Sequence, residues 1–240
     1  MDNGQIALDA EHIPFDLPEG KWSYYQEWNK VLFLHWKVPF NILRQIVPKK
    51  LNVDTFNGDA YVSLVAFTMQ KMKYKNVPAL KFISDFDELN VRTYINNDSK
   101  RGVYFINILA QKYLSALIAK TLSGLPYTKA EICRSENNYK ANSKSSQLSM
   151  DVDYEVKENI HFKTELDKWL TERYCLYLIK SDKVYRYYVH HKEWEIKDVD
   201  ISKLNIHYTS GQINLTKRPD ITHFSDGVKV LAWNRQHALD

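Results

Sequence analysis

The stretch Glu-Leu-Asn-Val-Arg-Thr-Tyr at residues 88–94 alternates polar and apolar side chains with a period of two. Successive side chains of a β-strand point to opposite faces of its sheet, so this pattern predicts a strand. One face of that strand carries Glu88, Asn90, Arg92 and Tyr94, and the other face is mostly apolar. The polar face therefore either contacts solvent or lines a cavity that carries function.

Length and composition limit the classes of protein to which the chain can belong. Its 240 residues suit one large β-rich domain or two small ones, and they suffice to bury a sizeable core. The sequence contains no run of about 18 apolar residues, which predicts that no transmembrane helix is present. Residues 1–20 read as an acidic, polar extension without the features of a signal peptide.

Cysteine content and net charge predict the compartment and the partners. Cys133 and Cys175 are too few for a disulfide framework, so we expect reduced thiols in a cytoplasmic protein. The net charge of +4 is spread along the chain, and we expect neither a nucleic-acid nor a membrane partner. A homo-oligomer and a small-molecule ligand both remain compatible with this composition.

The common nucleotide, hydrolase and metal motifs are missing from the sequence. Glycine and proline occur seven times each, and no G-x-G-x-x-G or G-x-x-x-x-G-K-[ST] cluster is present. The sequence also lacks G-x-S-x-G, H-E-x-x-H and C-x-x-C. These absences give no reason to expect a cofactor.

Strand signals dominate the first half of the chain. The predicted strands cover residues 31–38, 51–56, 60–69, 88–95 and 102–109. The turn Asn57-Gly58-Asp59 predicts a hairpin between the second and third of these strands. A short helix is predicted between Pro39 and Pro48, and the lysine-rich residues 70–82 read as an exposed loop.

The second half of the chain adds the helix candidates and more strands. One long amphipathic helix is predicted over residues 110–123, with Gly124 at its C′ position, and a short helix over residues 162–170. Strands are predicted at 127–132, 148–156, 173–179, 184–191 and 228–233, with a polar segment at 134–147. Without repeats or linkers, one domain spanning residues 1–240 is the simplest organisation. Many antiparallel strands with few helices favour an α+β fold or a closed barrel.

Four segments carry a resemblance to a known family. They are residues 33–69, 86–95 (FDELNVRTYI), 102–127 and 170–177 (LTERYCLY). In this order they resemble the YqjF-like family of uncharacterised bacterial proteins, a domain of unknown function, and the resemblance covers roughly residues 28–190. That family is similar in fold to acetoacetate decarboxylase. The resemblance therefore implies an α+β fold centred on an antiparallel β-barrel or curved sheet with an internal pocket.

The same resemblance argues against Schiff-base decarboxylation. Acetoacetate decarboxylase uses a Schiff-base lysine beside a second lysine, whose charge lowers the pKa of the reacting amine. That pair follows a Gly-x-Pro turn, and the matching turn here is Gly124-Leu125-Pro126. The next residues are Tyr127 and Thr128, which cannot form a Schiff base. Lys129 follows one position later and is the remaining candidate nucleophile, although it lacks an adjacent lysine.

Glu88 is the principal candidate for a pocket residue, because it matches the glutamate in the decarboxylase pocket. We expect it to be hydrogen-bonded and paired with Asn90 or Arg92, as an acid/base group or as half of a structural ion pair. Arg92 inside a pocket favours an anionic ligand, since its planar fork matches a carboxylate. The ligand-binding candidates are Glu88, Asn90, Arg92, Tyr127 and His35, although a histidine in an apolar strand is more often a core residue.

Two further polar groups have predominantly structural interpretations. Glu172, Arg173 and Tyr174 lie at a predicted helix-to-strand junction, where charge-assisted hydrogen bonds would fix the chain. His190-His191 with Glu193 suggests a metal site, but neighbouring strand residues point to opposite faces, so no metal is predicted.

Three functions stay open at this point. The first is a protein that binds a small molecule, with an organic anion as one candidate, in an internal pocket. The second is a lyase or hydrolase that uses Glu88 as acid/base. The third is a structural or interaction protein with a filled interior.

Overall fold

The alternating stretch forms the central part of strand β3 (Phe86–Asn97), which lies between β2 (Ala60–Tyr74) and β4 (Lys100–Ala110). The computed structural model describes residues 10–75, 78–79, 84–112, 117 and 123–239. Within these residues the fold is mostly sheet, with two short helices. None of the helices in these ranges has the length and apolar character needed to cross a bilayer.

Fourteen strands pair into one sheet in the described part of the chain. Besides β2, β3 and β4, they are β1 (Tyr24–Val38), β5 (Tyr127–Lys129), β6 (Glu131–Arg134), β7 (Asn138–Ser143), β8 (Leu148–Asn159), β9 (Cys175–Lys180), β10 (Lys183–His190), β11 (Lys197–Ser210), β12 (Ile213–Leu215), β13 (Ile221–Ala232) and β14 (Gln236–Leu239). The helices are α1 (Phe40–Ile46) and α2 (Glu165–Thr171).

The strand order is β14-β10-β9-β4-β3-β2-β1-β13-β11-β8-β7-β6, with β12 on β11 and β5 on β4. Strand β10 also pairs with β13 through Val189–Ala232 and His190–Leu231, although the two strands lie far apart in this order. The sheet must therefore curve back on itself. Most pairs are antiparallel, as predicted, but β4 pairs in parallel with both β5 and β9.

Both faces of the central strands are buried. On β1, Leu32 and Leu34 belong to the larger core cluster, whereas Val31 and Phe33 belong to a second cluster. On β3, Leu89 and its apolar neighbours face the larger cluster, which β7 and β8 complete with buried tyrosine, methionine and valine side chains. The polar face of β3 consequently points to the protein interior rather than to solvent.

Several predicted boundaries differ from the structure. Residues 51–56 make only the isolated bridges Val53–Ile95 and Phe56–Asp59, so the predicted strand there is wrong. Strand β2 continues to Tyr74 because β1 pairs with it there, which replaces the first part of the predicted loop. The polar segment 134–147 contains β7, whose alternate residues are buried. Of the predicted long helix at 110–123, Ala110 is instead the last residue of β4, and most of the other positions lie outside the described residues.

The two short helices occur close to their predicted positions. Helix α1 begins after Pro39 and ends just before Pro48. Helix α2 begins after Thr164, whose hydroxyl accepts a hydrogen bond from the Asp167 backbone N–H. The Asp167 carboxylate in turn accepts one from the Thr164 backbone N–H, which completes a capping box. This cap fixes the position of Asp167 beside the core.

Candidate functional site

Glu88, Asn90 and Arg92 on β3 line an internal cavity of about 100 Å³. Their exposed fractions are only 2%, 3% and 7%, so the alternation of the strand directs a charged face inward. Arg173 and Tyr127 add further polar groups to the lining. The remaining wall is largely aromatic and includes Trp28, Phe33, Phe67 and Trp194. The cavity thus has one polar side and one apolar side.

Glu88 is hydrogen-bonded on both carboxyl oxygens. Its Oε1 accepts from Asn90 Nδ2 at 3.3 Å, and its Oε2 accepts from the Tyr127 hydroxyl at 3.1 Å. Burial raises the pKa of Glu88 to about 7, and these two hydrogen bonds lower it only in part. Burial, together with the Glu88 charge, also raises the pKa of Tyr127 well above its ordinary value. Glu88 therefore exchanges its proton near neutral pH.

The expected pairing of Glu88 with Asn90 is present, but its pairing with Arg92 is not. Arg92 Nη2 instead donates a long hydrogen bond to the Leu170 carbonyl oxygen at 3.4 Å, and its guanidinium lies 5.6 Å from the centre of the Phe33 ring. Its Nε has no hydrogen-bond partner among the described residues. Burial lowers the pKa of Arg92, but an arginine starts so high that the group stays charged.

Arg173 is the second guanidinium at the cavity. Its Nη1 donates to Asp54 Oδ2 at 2.7 Å, and its Nε donates to the Trp169 carbonyl oxygen at 2.7 Å. Its Nη2 has no partner within the described ranges. Burial lowers the pKa of Arg173 to about 10, although the Asp54 carboxylate opposes this shift. The side chain is thus held at two of its nitrogens, while the third remains available.

His35 lies outside the lining of this cavity. It is fully buried, and its Nδ1 lies 2.7 Å from Ser63 Oγ and 3.2 Å from the Tyr94 hydroxyl. Its Nε2 lies 3.3 Å from His223 Nδ1. Burial lowers the pKa of His35 well below its ordinary value, so the imidazole is neutral. His35 therefore belongs to a buried network behind the cavity wall.

Lys129 does not reach the cavity. It is the last residue of β5, its side chain is exposed, and it is not among the lining residues. The predicted strand at 127–132 is interrupted at Ala130, so Lys129 is the terminal residue of β5, and its side chain is exposed although Tyr127, two positions earlier, is buried. Tyr127 is the residue of this segment that lines the cavity.

In the polar motif after α2, Glu172 and Tyr174 contact other parts of the chain, whereas Arg173 lines the cavity. The Glu172 carboxylate accepts hydrogen bonds from Lys163 Nζ at 2.8 Å, from the Tyr174 hydroxyl at 2.7 Å and from the Trp194 backbone N–H at 3.1 Å. These contacts fix the segment that carries Trp194 into the cavity wall. Arg173 points the other way, as the alternation predicts, and it joins the cavity as well as the Asp54 ion pair.

Sequence reasoning missed several residues that shape the site. Asp54, Trp28 and Trp194 gave no recognisable motif in the sequence. His191 was considered only with a metal, whereas it lines the cavity, and burial lowers its pKa to about 3. A search for acidic residues able to pair with Arg173 would have offered Asp54 only as one of many candidates.

Comparison with known proteins assigns the family. Residues 25–229 match the DUF2071 family of uncharacterized conserved proteins. The chain belongs to this family. It is 33% identical over 226 residues to the uncharacterized protein YqjF of Bacillus subtilis (strain 168), and the match covers 90% of this chain and 93% of YqjF. The resemblance seen in the sequence is thereby confirmed.

Solved structures similar to this DUF2071 chain have the acetoacetate decarboxylase-like fold. The enduracididine biosynthesis enzyme MppR, complexed with pyruvate, gives a TM-score of 0.59 at 8% identity, covering 96% of this chain and 94% of that one. An acetoacetate decarboxylase-like enzyme from Sphingomonas wittichii RW1 gives 0.57 at 11% identity, covering 95% and 99%. Acetoacetate decarboxylase from Legionella pneumophila gives 0.55 at 12% identity, covering 98% and 95%. These likenesses show the fold and leave the activity open.

Schiff-base chemistry can be tested directly in this family member. Incubation with acetoacetate and borohydride at pH 7 is expected to leave the intact mass unchanged, because Tyr127 and Thr128 follow the Gly124-Leu125-Pro126 turn. Lys129 has none of the burial that activates a Schiff-base amine. An acetoacetate decarboxylase treated in parallel supplies the positive control. A reduced adduct mapped to Lys129 would contradict this expectation.

Proposed function

We propose that this protein binds a small organic carboxylate in the cavity lined by Glu88, Arg92 and Arg173. The observation that carries the proposal is the pair of buried guanidinium groups, each with an N–H that lacks a partner among the described residues. Buried polar groups normally have hydrogen-bond partners, and an unpaired one costs about 1–3 kcal/mol, or more when charged. A carboxylate between the two guanidinium groups would satisfy both.

Charge balance in the cavity supports an anion. The positive charge of Arg173 is matched by Asp54 at 2.7 Å, whereas Arg92 has no carboxylate partner in the described part of the chain. Glu88 does not compensate Arg92, because its burial favours the neutral form up to a pH of about 7. Burying a charge without a counter-charge is costly, and an anionic ligand beside Arg92 would remove that cost.

Cavity size limits the ligand to a few heavy atoms. An engineered apolar cavity of about 150 Å³ is large enough for benzene, so about 100 Å³ suits a ligand of roughly four to six heavy atoms. The aromatic side of the cavity, with Phe33 and Trp194 in edge-to-face contact at 5.2 Å, suits a methyl or ethyl group. The similar protein MppR was solved with pyruvate, which makes pyruvate a suitable first probe.

Binding can be tested with a matched series of small ligands. Pyruvate, acetate and propionate are titrated at pH 7 by calorimetry and by ligand-observed NMR, with acetamide as the neutral analogue of acetate. We expect the carboxylates to bind and to raise the melting temperature, and acetamide to do neither, because it carries no charge for the guanidinium groups. Equal behaviour of acetate and acetamide would reject a carboxylate site.

Arg92→Met is expected to weaken pyruvate binding by about 10- to 100-fold, since a hydrogen bond to a charged group contributes about 1.5–3 kcal/mol. Arg186→Met is the matched control, because Arg186 is also a strand residue with an exposed fraction of 7% and lies outside the cavity lining. Calorimetry gives the pyruvate dissociation constant of each variant, and each constant is compared with that of the wild type. Equal weakening by the two substitutions would show that loss of a buried arginine, rather than loss of a ligand contact, is responsible.

The enzymatic alternative would use the same cavity. Glu88, with its pKa of about 7, has the property of an acid/base group, but no lysine, cysteine or serine lines the described cavity to act as a nucleophile. The hydroxyl of Thr171, which does line the cavity, donates its proton to the Asp167 carbonyl oxygen. Binding is therefore the function that we propose.

The cytoplasm is the proposed compartment, because Cys133 and Cys175 are both free thiols.

A further inference from the structure

Five side chains form a continuous hydrogen-bonded chain behind the polar wall of the cavity. Its links are Asp167 Oδ1 to His223 Nε2 (3.0 Å), His223 Nδ1 to His35 Nε2 (3.3 Å), His35 Nδ1 to Ser63 Oγ (2.7 Å) and Ser63 Oγ to the Tyr94 hydroxyl (2.6 Å). The Tyr94 hydroxyl also lies 3.2 Å from the Leu170 carbonyl oxygen. The same carbonyl accepts the hydrogen bond from Arg92. The chain therefore connects a carboxylate near the surface with a cavity arginine.

The order of donors along this chain depends on the charge of His223. When His223 is neutral, its Nε2–H donates to the Asp167 carboxylate, so its Nδ1 must accept from His35 Nε2–H. His35 Nδ1 then accepts from the Ser63 hydroxyl, and Ser63 accepts from Tyr94. In this arrangement Tyr94 has no proton left to donate to Leu170, because a hydroxyl carries one donor hydrogen.

Protonation of His223 reverses every link between His223 and Tyr94. The imidazolium donates from both nitrogens, so His35 must accept at Nε2 and carry its own proton on Nδ1. His35 Nδ1–H then donates to Ser63, and Ser63 donates to Tyr94. The Tyr94 hydroxyl is left free to donate to the Leu170 carbonyl oxygen, beside the hydrogen bond from Arg92.

We propose that this chain is a proton-coupled relay, in which protonation of His223 switches the tautomer of His35 and turns the Tyr94 hydroxyl toward the Leu170 carbonyl. Tyr94 is thereby a positioning residue, since its hydroxyl interacts with Arg92 directly and shares the Leu170 carbonyl oxygen with it. This consequence for ligand binding rests on the proposed function, whereas the switch itself does not.

The groups around the two histidines favour His223 as the site of protonation. Asp167 on α2 contacts His223 directly, and the charge of Asp198 on β11 also favours the imidazolium. Burial opposes these effects and lowers the pKa of His223. His35 faces His223 and the positive charge of Arg92 and has no carboxylate partner among the described residues, so it stays neutral. One proton therefore enters the chain at His223, next to the partly exposed Asp167.

NMR of the full chain, labelled with ¹⁵N-histidine, tests the relay without any ligand. As the pH falls, we expect both nitrogens of His223 to become protonated. At the same midpoint the neutral imidazole of His35 should move its proton from Nε2 to Nδ1. A His35 tautomer that does not change while His223 titrates would overturn the relay. So would the absence of any His223 titration above the pH at which the protein unfolds.

Tyr94→Phe should oppose the reversal, because a Ser63 hydroxyl that accepts a hydrogen bond from His35 Nδ1–H then lacks the Tyr94 oxygen to which it would donate. We expect the His223 midpoint to fall by at least about half a pH unit, and His35 to keep its Nε2 proton down to that lower pH. Tyr61→Phe is the matched control, since Tyr61 is a buried tyrosine of the same core cluster and its hydroxyl makes none of the links in the chain. Equal shifts in both variants would indicate a general effect of removing a buried hydroxyl and would reject the relay.

Pyruvate titrations at several pH values connect the relay with the cavity. Glu88 is retained in Tyr94→Phe, so the difference in pH profile between this variant and the wild type reports the relay rather than the Glu88 carboxyl. The two proposals fail separately. A His35 switch without binding of pyruvate, acetate or propionate rejects the proposed function alone, whereas binding of these carboxylates with a fixed His35 tautomer rejects the relay alone.

Discussion

Asp54→Ala is expected to lower the free energy of unfolding by about 3–5 kcal/mol, because it leaves the Arg173 guanidinium buried without its counter-charge. The Arg173 and Asp54 side chains are 2% and 8% exposed, and their 2.7 Å contact joins residues that are 119 positions apart. Urea unfolding followed by tryptophan fluorescence measures the change. This is the largest single effect that we expect in the described part of the chain.

Two further variants separate the buried charge from other effects of the substitution. Asp226→Ala removes a carboxylate that is 77% exposed and lies 2.6 Å from Lys197, and we expect it to cost less than about 1 kcal/mol. Asp54→Ala combined with Arg173→Met removes both charges and should recover part of the lost stability. If Asp54→Ala destabilised no more than Asp226→Ala, the Arg173 guanidinium would have to be solvated.

In the wild type, titration of Glu88 is expected to change the free energy of unfolding by about 3 kcal/mol between low and high pH. Glu88→Gln should remove this contribution. The pKa of Glu88 is about 7 in the folded protein, against 4.5 for an ordinary glutamate, so the folded state binds this proton more tightly than the unfolded state. The stabilisation from this group is complete below pH 4.5 and is lost as the pH rises toward 7. At pH 8 the glutamine variant should therefore be more stable than the wild type.

Unfolding free energies at pH 5 and pH 8 provide the measurement. Between pH 5 and pH 8, ionisation of Glu88 should lower the unfolding free energy of the wild type by about 2–3 kcal/mol. The decrease measured for Glu88→Gln should be smaller by this amount. Glu155→Gln is the control, because Glu155 is an exposed glutamate on β8 and should leave the wild-type profile unchanged. Parallel profiles for the wild type and Glu88→Gln would mean that the Glu88 carboxyl is not desolvated in the folded protein.

The elements of this fold were predictable where the hydrophobic pattern is strong. The period of two at residues 88–94 predicted β3 and the common face of Glu88, Asn90 and Arg92, and two prolines bounded the short helix α1. Prediction failed where a neighbouring strand decides whether a segment joins the sheet. Residues 51–56 have strand-like side chains but only isolated bridges, whereas the lysine-rich end of β2 stays in the sheet because β1 extends alongside it.

The candidate site was predictable only in part, for a similar reason. Glu88, Asn90, Arg92 and Tyr127 follow from alternation and from the family resemblance, and all four line the cavity. A regular strand predicted Lys129 on the face of Tyr127, near the pocket, but Lys129 is the exposed last residue of the three-residue strand β5. His35 is a ligand-binding candidate from the sequence, but it is buried outside the cavity lining, and its partner His223 is 188 residues away in the sequence.

The sequence by itself determined the family, the strand-rich fold and which side chains of β3 share a face, because these depend on local periodicity and on similarity to other chains. Only the tertiary structure decided that this face is internal, that Arg173 pairs with Asp54 rather than Arg92 with Glu88, and that Asp167 and Tyr94 end one hydrogen-bonded chain. Such contacts join strands that are distant in sequence, and no local pattern specifies which of many charged residues will meet. Burial then shifts the pKa of Glu88, and burial is a property of the whole fold.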